Sequence, residues 1–504
     1  MHPEVGDIDT GPGRPPGDGP ASPAEPVAAP ASSRSLGLWV AACIGLGLLS
    51  LLVPSTITYD PFTWAGWARQ IVHWHLDTRT GPAWKPLPVL FDLPFAPLGR
   101  TALWAWLALA RAGGFLLIVM AYRLARRYAG WGAGLFAATG VATSTSFAFY
   151  LMPVGLSEPL LAALALLAIE RHLDGHHGHA VGLIYACVLL RPELLPFYLG
   201  YGVFLWRRSP RARVWLISGL VVLPLLLFLP DYIGSGDLLR SSKRAAIPTE
   251  GGPLLSGHPG LAVLQSAARA VTVPVLVGSA QAVLLSVRGV WRRREEVPLF
   301  VLCALAAGNL VLEALLTQLH KSAGDERYLI IGYSLMCVVA GIAAARLVVA
   351  VGTWRPRLGR LAATAVALFT VPFVYAEVQG WPGDTKGMTY QVHKDGQLQA
   401  VIAKLGRNRI LGCGPVLADT YQGAAIAWYL DVPISRITIV APPPEGKTVT
   451  PTADAITILP PAGTMFRTSN LGGKGSPVIP AAPPAGPFRV VAETGQWEVQ
   501  STCA

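Results

Sequence analysis

The sequence predicts a polytopic α-helical membrane protein with a small extracytoplasmic α/β domain at its C-terminal end. Of its 504 residues, 52% are hydrophobic and 14% are charged, which would leave a water-soluble protein of this length with too little charged surface. The formal net charge of +11 would suggest nucleic-acid binding in a soluble protein. Here the basic residues cluster in short loops between apolar runs, which indicates membrane orientation and no nucleic-acid partner.

The N-terminal segment, residues 1–35, predicts a disordered cytoplasmic tail. It is rich in Pro, Gly and Ala and has too few large apolar side chains to fold. The first apolar run begins too far into the chain, and is too long, to be a cleaved secretory signal. We therefore expect a retained anchor in the lipid bilayer of the plasma (inner) membrane.

Apolar runs of about the 20 residues that cross a bilayer core then follow one another along the chain. They cover 36–56, 101–123, 130–150, 156–170, 180–206, 213–233, 261–288, 297–318, 327–350 and 359–380. The basic loops between them should be cytoplasmic. These loops lie at 123–127, 207–213, 291–294 and 355–360.

The run 180–206 cannot be a single span, because the loops before and after it both belong on the cytoplasmic side. The motif Arg191-Pro192-Glu193 resolves this conflict, since its proline and two charges divide the run into two short helices. The result is about 11 transmembrane helices, with the N-terminus cytoplasmic and the C-terminus extracytoplasmic. The predicted domains are a membrane domain at 36–380, with a first outer loop at 57–100, and an extracytoplasmic domain at 381–504.

In the extracytoplasmic domain, short β-rich runs flank a helical pattern, which favours an α/β fold. Cys413 and Cys503 lie in this domain, and two interpretations are open. They form a disulfide that ties the last strand to the core of the domain, or they are two free thiols. The other four cysteines fall inside apolar runs, where cysteine acts as a small hydrophobic residue.

The first outer loop begins with Asp60, for which two interpretations are also open. Asp60 before Pro61 is typical of a helix N-cap with proline at the first helical position. An acid beside a membrane span is equally a candidate catalytic group. The residues that follow predict a helix lying in the membrane interface. Its buried face consists of Trp64, Trp67, Ala68 and Ile71, extended by Trp74 and His75.

Further charges lie beside apolar runs, and the predicted topology directs nearly all of them to one compartment. Lys85, between Trp84 and Pro86, is either a lysine that snorkels to the interface or a phosphate contact. Glu158 is either a helix-end acid or a functional carboxylate. The charges on this side are Asp60, Lys85, Glu158, Arg191, Glu193, Lys321, Asp325, Glu326 and Arg327.

Two more pairs have ordinary interpretations when taken alone. Arg191 and Glu193 are close enough in sequence to form an ion pair with each other. Arg327 and Tyr328 lie at the outer end of a late span, where such residues commonly anchor a helix at the interface. A role for these residues therefore depends on the whole set of motifs.

Taken in order, the motifs resemble the C-type glycosyltransferase superfamily, and look closest to protein O-mannosyltransferases and aminoarabinose transferases of bacterial membranes. The resemblance covers roughly residues 36–350. It rests on an acid after the first span, a Lys-Pro loop before the second, an acid-Pro-Leu-Leu start to a later span, and Arg-Tyr-Leu opening a late one. The chain departs from the common pattern with "YDP" in place of two adjacent acids and "WKPLP" in place of Lys-Pro-Pro-Leu.

The resemblance implies roles for particular residues. Asp60 matches the catalytic base and Glu158 the later acid, while Lys85 and Arg327 match the residues that hold a lipid phosphate. We expect Glu158 to orient Asp60 or to share a divalent ion with it. We add Arg191 as a further phosphate contact, with Glu193, Tyr328 and Trp84 in supporting positions. If Asp60 and Glu158 approach one site they would repel each other, and a divalent cation such as Mg²⁺ or Mn²⁺ would relieve that repulsion.

Physical chemistry favours the same reaction. Nucleotide sugars are not available outside the cell, so a sugar donor on that side has to be lipid-linked. The tail of a polyprenyl-phosphate sugar would lie among apolar helices while its phosphodiester meets the cations. Negative charge grows on the phosphate as the glycosidic bond breaks, and fixed cations stabilise it most in the transition state. A carboxylate can take the proton from the acceptor hydroxyl.

The sequence therefore predicts a membrane hexosyl- or pentosyltransferase with a polyprenyl-phosphate donor, for which mannose and arabinose are candidate sugars. Its acceptor would be a cell-envelope glycan, lipid or protein. Two other functions remain open. A lipid or glycolipid transporter would also carry intramembrane charges, although the one-sided cluster and the lack of repeated broken helices count against it. A non-catalytic membrane assembly protein would use the outer domain as its binding surface.

Overall fold

The computed structural model of the chain describes residues 33–144, 147, 151–208, 210–249, 251–293, 297–418, 421–439, 462–468 and 488–503. The predicted N-terminal tail lies outside these residues, apart from the three that begin the first helix at Ser33. Nearly all of the described chain before residue 406 is helical or connects helices, as the succession of apolar runs predicts.

The helices have the following bounds. The first eight are α1 (Ser33–Leu49), α2 (Tyr59–Val72), α3 (Pro86–Asp92), α4 (Thr101–Ala142), α5 (Glu158–Leu173), α6 (His177–Leu190), α7 (Leu195–Trp206) and α8 (Pro210–Ser235). The next eight are α9 (Arg240–Ala245), α10 (Pro259–Arg269), α11 (Val273–Arg293), α12 (Val297–Gln318), α13 (Ile330–Trp354), α14 (Pro356–Leu405), α15 (Arg407–Gly412) and α16 (Gly423–Leu430).

Six helices within the described residues are long and apolar enough to cross a membrane. The pair α10 and α11, bent by 110°, would make a seventh span if it crosses as one unit. The prediction of about 11 spans also counts shorter helices such as α5, α6 and α7, which cannot each cross a full bilayer core as straight segments. The helices indicate a membrane protein, while the number of spans stays a prediction.

Two of the predicted runs, 101–123 and 130–150, belong largely to one kinked helix, α4. The kink is at Ala129 and Gly130, where Gly130 has a φ of +81° that a residue without a Cβ adopts easily. Residues 123–127, predicted as a loop, belong instead to the helix just before this kink, and their cytoplasmic location stays a prediction. Two of their three arginines form ion pairs within the fold. Arg123 binds Glu170 at 3.0 Å, and Arg127 binds Asp174 at 2.5 Å.

The break predicted within 180–206 is present. α6 ends at Leu190, and Arg191 has an extended backbone with φ −147° and ψ 99°. A single 3₁₀ turn, Pro192–Leu194, then leads into α7. Because proline lacks the N–H that would continue the α-helical hydrogen bonds, the chain can turn here and direct Arg191 inward.

The helix after Asp60 is also present, but its end and its surroundings differ from the prediction. α2 ends at Val72, so Trp74 and His75 do not extend its buried face, and Trp74 is 96% exposed. Trp64 and Trp67, in contrast, are fully buried. The face of α2 that the sequence assigned to the membrane interface is therefore covered by protein.

The tryptophans of α2 attach it to the membrane domain. The ring of Trp64 meets that of Trp106 on α4 edge to face, with centroids 5.3 Å apart. The indole N–H of Trp67 donates to the carbonyl of Asp77 at 3.0 Å. Such aromatic pairs contribute about 0.5–1.5 kcal/mol beyond the burial of their area.

The C-terminal part forms a five-stranded mixed sheet with strand order β2-β1-β3-β5-β4. The strands are β1 (Val416–Ala418), β2 (Ile437–Ile439), β3 (Thr464–Thr468), β4 (Arg489–Glu493) and β5 (Trp497–Ser501). β1 pairs in parallel with β2 and β3, while β5 pairs antiparallel with β3 and β4. The end of α14 and α16 pack against this sheet, so the chain folds here as α/β.

This α/β unit packs directly on α2. The rings of Phe62 and Tyr429 meet edge to face with centroids 5.8 Å apart. Arg69 forms a 2.9 Å ion pair with Asp431, and its guanidinium carbon lies 4.3 Å from the centre of the Trp428 ring. α2 is therefore held between the membrane domain on one face and the α/β unit on another.

Replacing Gly113 with alanine should loosen α4 from α5. A Cβ at this position would lie 2.6 Å from the Cα of Leu160, so the two helices would have to separate. Overpacking of this kind typically costs about 1–3 kcal/mol. We expect a lower midpoint of thermal unfolding in detergent, measured by tryptophan fluorescence. Gly132→Ala on the same helix is the control, because its added Cβ would meet nothing within 4 Å. Equal midpoints for the two variants would contradict the close packing.

Candidate active site

Asp60 lies in the first turn of α2, but it does not cap the helix. The N-cap residue is Thr58, and no side chain forms a capping hydrogen bond there. Instead, the Asp60 carboxylate accepts a hydrogen bond from Arg327 at 3.0 Å. The interpretation of Asp60 as a cap is therefore wrong. Its partner lies 267 positions away along the chain.

Glu158 is the centre of a buried ion cluster. Its side chain is fully inaccessible to solvent, and one oxygen, Oε1, accepts from both Lys85 Nζ at 3.0 Å and Arg191 Nη2 at 2.9 Å. Lys85 also donates to the hydroxyl of Ser157 at 2.8 Å. The Lys85 side chain is only 8% exposed, so it does not snorkel to a surface.

Tyr328 lies between this cluster and the Asp60 pair. The guanidinium carbon of Arg191 is 3.5 Å from the centre of the Tyr328 ring, and that of Arg327 is 5.4 Å from it. Asp60 and Glu158 share no hydrogen bond. They are connected through Arg327, the ring of Tyr328 and Arg191. The structure thus brings Asp60, Lys85, Glu158, Arg191 and Arg327 into one site.

Two further carboxylates complete the charge balance. Arg191 lies 3.6 Å from Glu193, so its main partner is Glu158 rather than its neighbour in sequence. Arg327 lies 3.4 Å from Asp325. Burial lowers the pKa of the Lys85 ammonium, and the Glu158 carboxylate opposes that effect. The cations of the site are thus held in place by acidic side chains.

Aromatic rings enclose one side of the site. Lys85 Nζ lies 5.1 Å from the centre of the Trp64 ring. Trp84 is buried, its indole N–H donates to the carbonyl of Leu226 at 2.9 Å, and its backbone N–H donates to the hydroxyl of Ser241 at 2.6 Å. Arg327 is 22% exposed, so one cation of the site remains accessible. Charges that are buried beside aromatic rings interact more strongly than charges in water.

The donor atoms around Asp60 and Glu158 do not fit a divalent cation well. Within the described residues, no group of three or more His, Cys, Asp or Glu side chains is placed to hold a metal ion. The better-buried acid, Glu158, already accepts from an ammonium and a guanidinium group through the same oxygen. The sequence suggested that a metal ion would relieve the repulsion between the two acids. Lysine and arginine side chains lie beside these acids instead.

The sequence gives little or no indication that some of these residues belong to the site. Asp325 is visible as an unusual charge, but its contact with Arg327 is not. Ser157, which accepts a hydrogen bond from Lys85, precedes Glu158 without any distinctive pattern. A further buried charge, Arg111 on α4, has no described contact with the ion cluster and donates to the carbonyls of Ser50 and Pro153 at 2.7 and 2.8 Å. The sequence marked Arg111 as unusual only because it is a single charge inside an apolar run.

In the α/β unit, the structure pairs Cys413 with Cys503 as a disulfide. Their Cα atoms are 5.7 Å apart, which is within the usual range for a bridge. The bridge connects the segment before β1 with the segment after β5, and it lies away from the ion cluster. The remaining cysteines, Cys43, Cys187, Cys303 and Cys337, are buried and unpaired with one another.

The whole described chain can be compared with solved structures. Its fold is similar to that of ArnT from Cupriavidus metallidurans bound to undecaprenyl phosphate, with a TM-score of 0.52 at 14% sequence identity. The match covers 94% of this chain and 99% of that one. The chain therefore has the fold of ArnT. As far as the fold is concerned, the resemblance predicted from the motifs is confirmed.

Other comparisons are weaker. Apo ArnT from the same organism gives a TM-score of 0.49 at 14% identity, covering 94% of this chain and 98% of that one. The archaeal oligosaccharyltransferase AglB from Archaeoglobus fulgidus, in complex with an inhibitory peptide and a dolichol-phosphate, gives 0.45 at 13% identity, covering 81% of this chain and 65% of AglB. No family model matches the sequence. No curated protein matches it either.

Replacing Glu158 with glutamine should destabilise the protein strongly, because Lys85 and Arg191 would keep their charges without a buried counter-charge. Removing one partner of a buried ion pair typically costs about 3–5 kcal/mol. Glu193→Gln is the control, because Glu193 lies 3.6 Å from Arg191 and is 24% exposed. We expect it to cost about 1 kcal/mol or less. Thermal unfolding in detergent compares them, and a Glu158 variant no less stable than the Glu193 variant would contradict the central role of Glu158.

Proposed function

We propose that this protein is a glycosyltransferase that moves a sugar from a polyprenyl-phosphate donor to a hydroxyl group of an acceptor. The observation that carries the proposal is the cluster of Asp60, Glu158, Lys85, Arg191 and Arg327, whose two sets of ion pairs meet at the ring of Tyr328. Four distant parts of the chain contribute to it. The fold adds support, because its structural neighbour ArnT was solved with undecaprenyl phosphate bound.

The cations of the network would bind the donor phosphate. Lys85 and Arg327 approach the site from opposite ends of the network, and Arg191 lies between them over Tyr328. When the bond between the anomeric carbon and the phosphate oxygen breaks, its electron pair leaves with the phosphate. Fixed cations in a dry site stabilise this growing charge without reorganising, which lowers the barrier.

Asp60 is the proposed base. As the acceptor oxygen bonds to the anomeric carbon, its proton would pass to the Asp60 carboxylate. In the absence of a donor, Arg327 holds that carboxylate at 3.0 Å. A phosphate that draws the Arg327 side chain toward itself would leave Asp60 free to accept the proton. Donor binding would therefore precede deprotonation of the acceptor.

Glu158 has a different role in this proposal from the one suggested by its motif. One of its oxygens is occupied by both Lys85 and Arg191, and Asp60 is not among its hydrogen-bond partners. Glu158 would therefore orient the two phosphate-binding cations rather than act on the acceptor. Trp84 and Tyr328 would support the same cations, and Glu193 would hold Arg191 from its other side. No step requires a metal ion.

We place the reaction at the extracytoplasmic face of the plasma membrane, with the N-terminus in the cytoplasm. The disulfide between Cys413 and Cys503 supports this orientation, because disulfides persist in oxidising compartments. The donor would carry a hexose or pentose such as mannose or arabinose. The acceptor would be a glycan, lipid or protein of the cell envelope, and the α/β unit beside α2 would lie next to it.

Asp60→Asn should abolish most transfer while leaving donor binding in place. Loss of a general base lowers a rate by about 10²–10⁴-fold. The assay supplies labelled polyprenyl-phosphate mannose or, separately, polyprenyl-phosphate arabinose to membrane vesicles and measures label in the acceptor fraction. Asp384→Asn is the control, because Asp384 is an exposed acid on α14.

Two outcomes would contradict the proposal. The first is transfer by Asp60→Asn at the rate of the unaltered protein. The second is movement of labelled donor across the membrane by the unaltered protein without any transfer. That second result would favour a lipid or glycolipid transporter.

A further inference from the structure

We propose that the segment 240–249 is a positioning strap that sets the distance between Lys85 and Arg327. This inference rests on the proposed function, because it concerns the two residues that would grip opposite sides of the donor phosphate. The strap comprises α9 and the residues up to Thr249. Lys85 and Arg327 belong to different loops, and no hydrogen bond between them is described.

The first end of the strap holds the loop that carries Lys85. Arg240, which is buried, donates to the carbonyls of Pro82 and Gly81 at 2.5 and 2.7 Å. Arg244 donates to the same Gly81 carbonyl at 3.0 Å. Two guanidinium groups on one carbonyl fix the backbone shortly before Lys85, since hydrogen bonds from charged donors are stronger than neutral ones.

A second contact reaches the residue next to Lys85. The hydroxyl of Ser241 accepts the backbone N–H of Trp84 at 2.6 Å. The backbone N–H of Ser241 in turn donates to the carboxylate of Asp231 at 3.0 Å, which anchors the strap to the end of α8. The position of the Lys85 backbone is therefore determined by the strap as well as by its own loop.

The other end of the strap holds the loop that carries Arg327. The backbone N–H of Ala323 donates to the carbonyl of Ala245 at 2.8 Å. The hydroxyl of Thr249 donates to one oxygen of Asp325 at 2.7 Å, and the other oxygen lies 3.4 Å from Arg327 Nε. Thr249 thereby fixes the rotation of the Asp325 carboxylate that aims Arg327 at Asp60.

Positioning of this kind matters because the two cations have to meet oxygens of a single phosphate group. A displacement of about 1 Å in a catalytic group can lower activity by about 10²-fold. Thr249 touches neither Asp60 nor Lys85, so it is a positioning residue that acts through Asp325. Its effect should appear in donor binding and should be reversed by a residue that restores the hydroxyl.

The test compares Thr249→Val, which keeps the shape but loses the hydroxyl, with Thr249→Ser, which keeps the hydroxyl. Binding of polyprenyl phosphate without acceptor is measured by quenching of tryptophan fluorescence in detergent. Loss of one hydrogen bond to a charged group should weaken binding about tenfold in the valine variant. The serine variant should bind within about twofold of the unaltered protein. Ser241→Ala, at the other end of the strap, should weaken binding in the same direction.

The remaining readouts separate positioning from a merely structural role. In transfer assays, the valine variant should raise KM for the donor and leave KM for the acceptor unchanged, and the serine variant should restore the donor KM. Equal binding by the valine variant and the unaltered protein would overturn the strap while the proposed function stands. The strap would also be overturned if Thr249→Val and Thr249→Ser both bound polyprenyl phosphate more weakly and both unfolded at a lower temperature. Failure of the unaltered protein to bind polyprenyl phosphate would overturn the proposed function itself.

Discussion

The buried carboxylate of Glu158 has to be neutralised, and much of the fold near the site depends on how this is done. A lone ionised group in a low-dielectric interior is too costly to retain. Two cations from different parts of the chain therefore converge on it, Lys85 from the loop before α3 and Arg191 from the break between α6 and α7. Each cation explains a local departure from regular structure. The helix is interrupted where Arg191 turns inward, and the Lys85 loop is held by hydrogen bonds to α8 and α9.

Charged residues in apolar surroundings were the part of this site that a single sequence could reveal. Such residues are expensive near a membrane, so Asp60, Glu158, Arg191 and Arg327 are recognisable even without a partner. Pro192 marked the break in the same way, because proline between two charges cannot continue a helix. The short α/β pattern after residue 381 was visible for a similar local reason, namely β-rich runs around one helix.

The partners of these residues could not be predicted in the same way. Asp60 meets Arg327, not the solvent or its own helix end, and only the folded chain brings the two together. The spacing of the aromatic residues on α2 predicted correctly that Trp64 and Trp67 are buried. It did not predict that protein, rather than the membrane, covers them. Arg123 and Arg127 were assigned to a loop because their acids, Glu170 on α5 and Asp174 just after it, are distant in sequence. Sequence periodicity describes one helix or strand at a time, so it cannot predict ion pairs between different elements.

The order of the strands affects how the protein is synthesised. β4 joins the sheet only through β5, and β3 also needs β5 as its antiparallel neighbour. On the proposed topology, the sheet cannot close until residues 497–501 have left the ribosome and crossed the membrane. α2 is synthesised among the first elements. The complete α/β unit that packs against its Phe62 and Arg69 forms only after β5 has been synthesised. Insertion into the membrane and completion of the surroundings of Asp60 are thus separate events, which leaves nascent chains anchored but unfinished while translation continues.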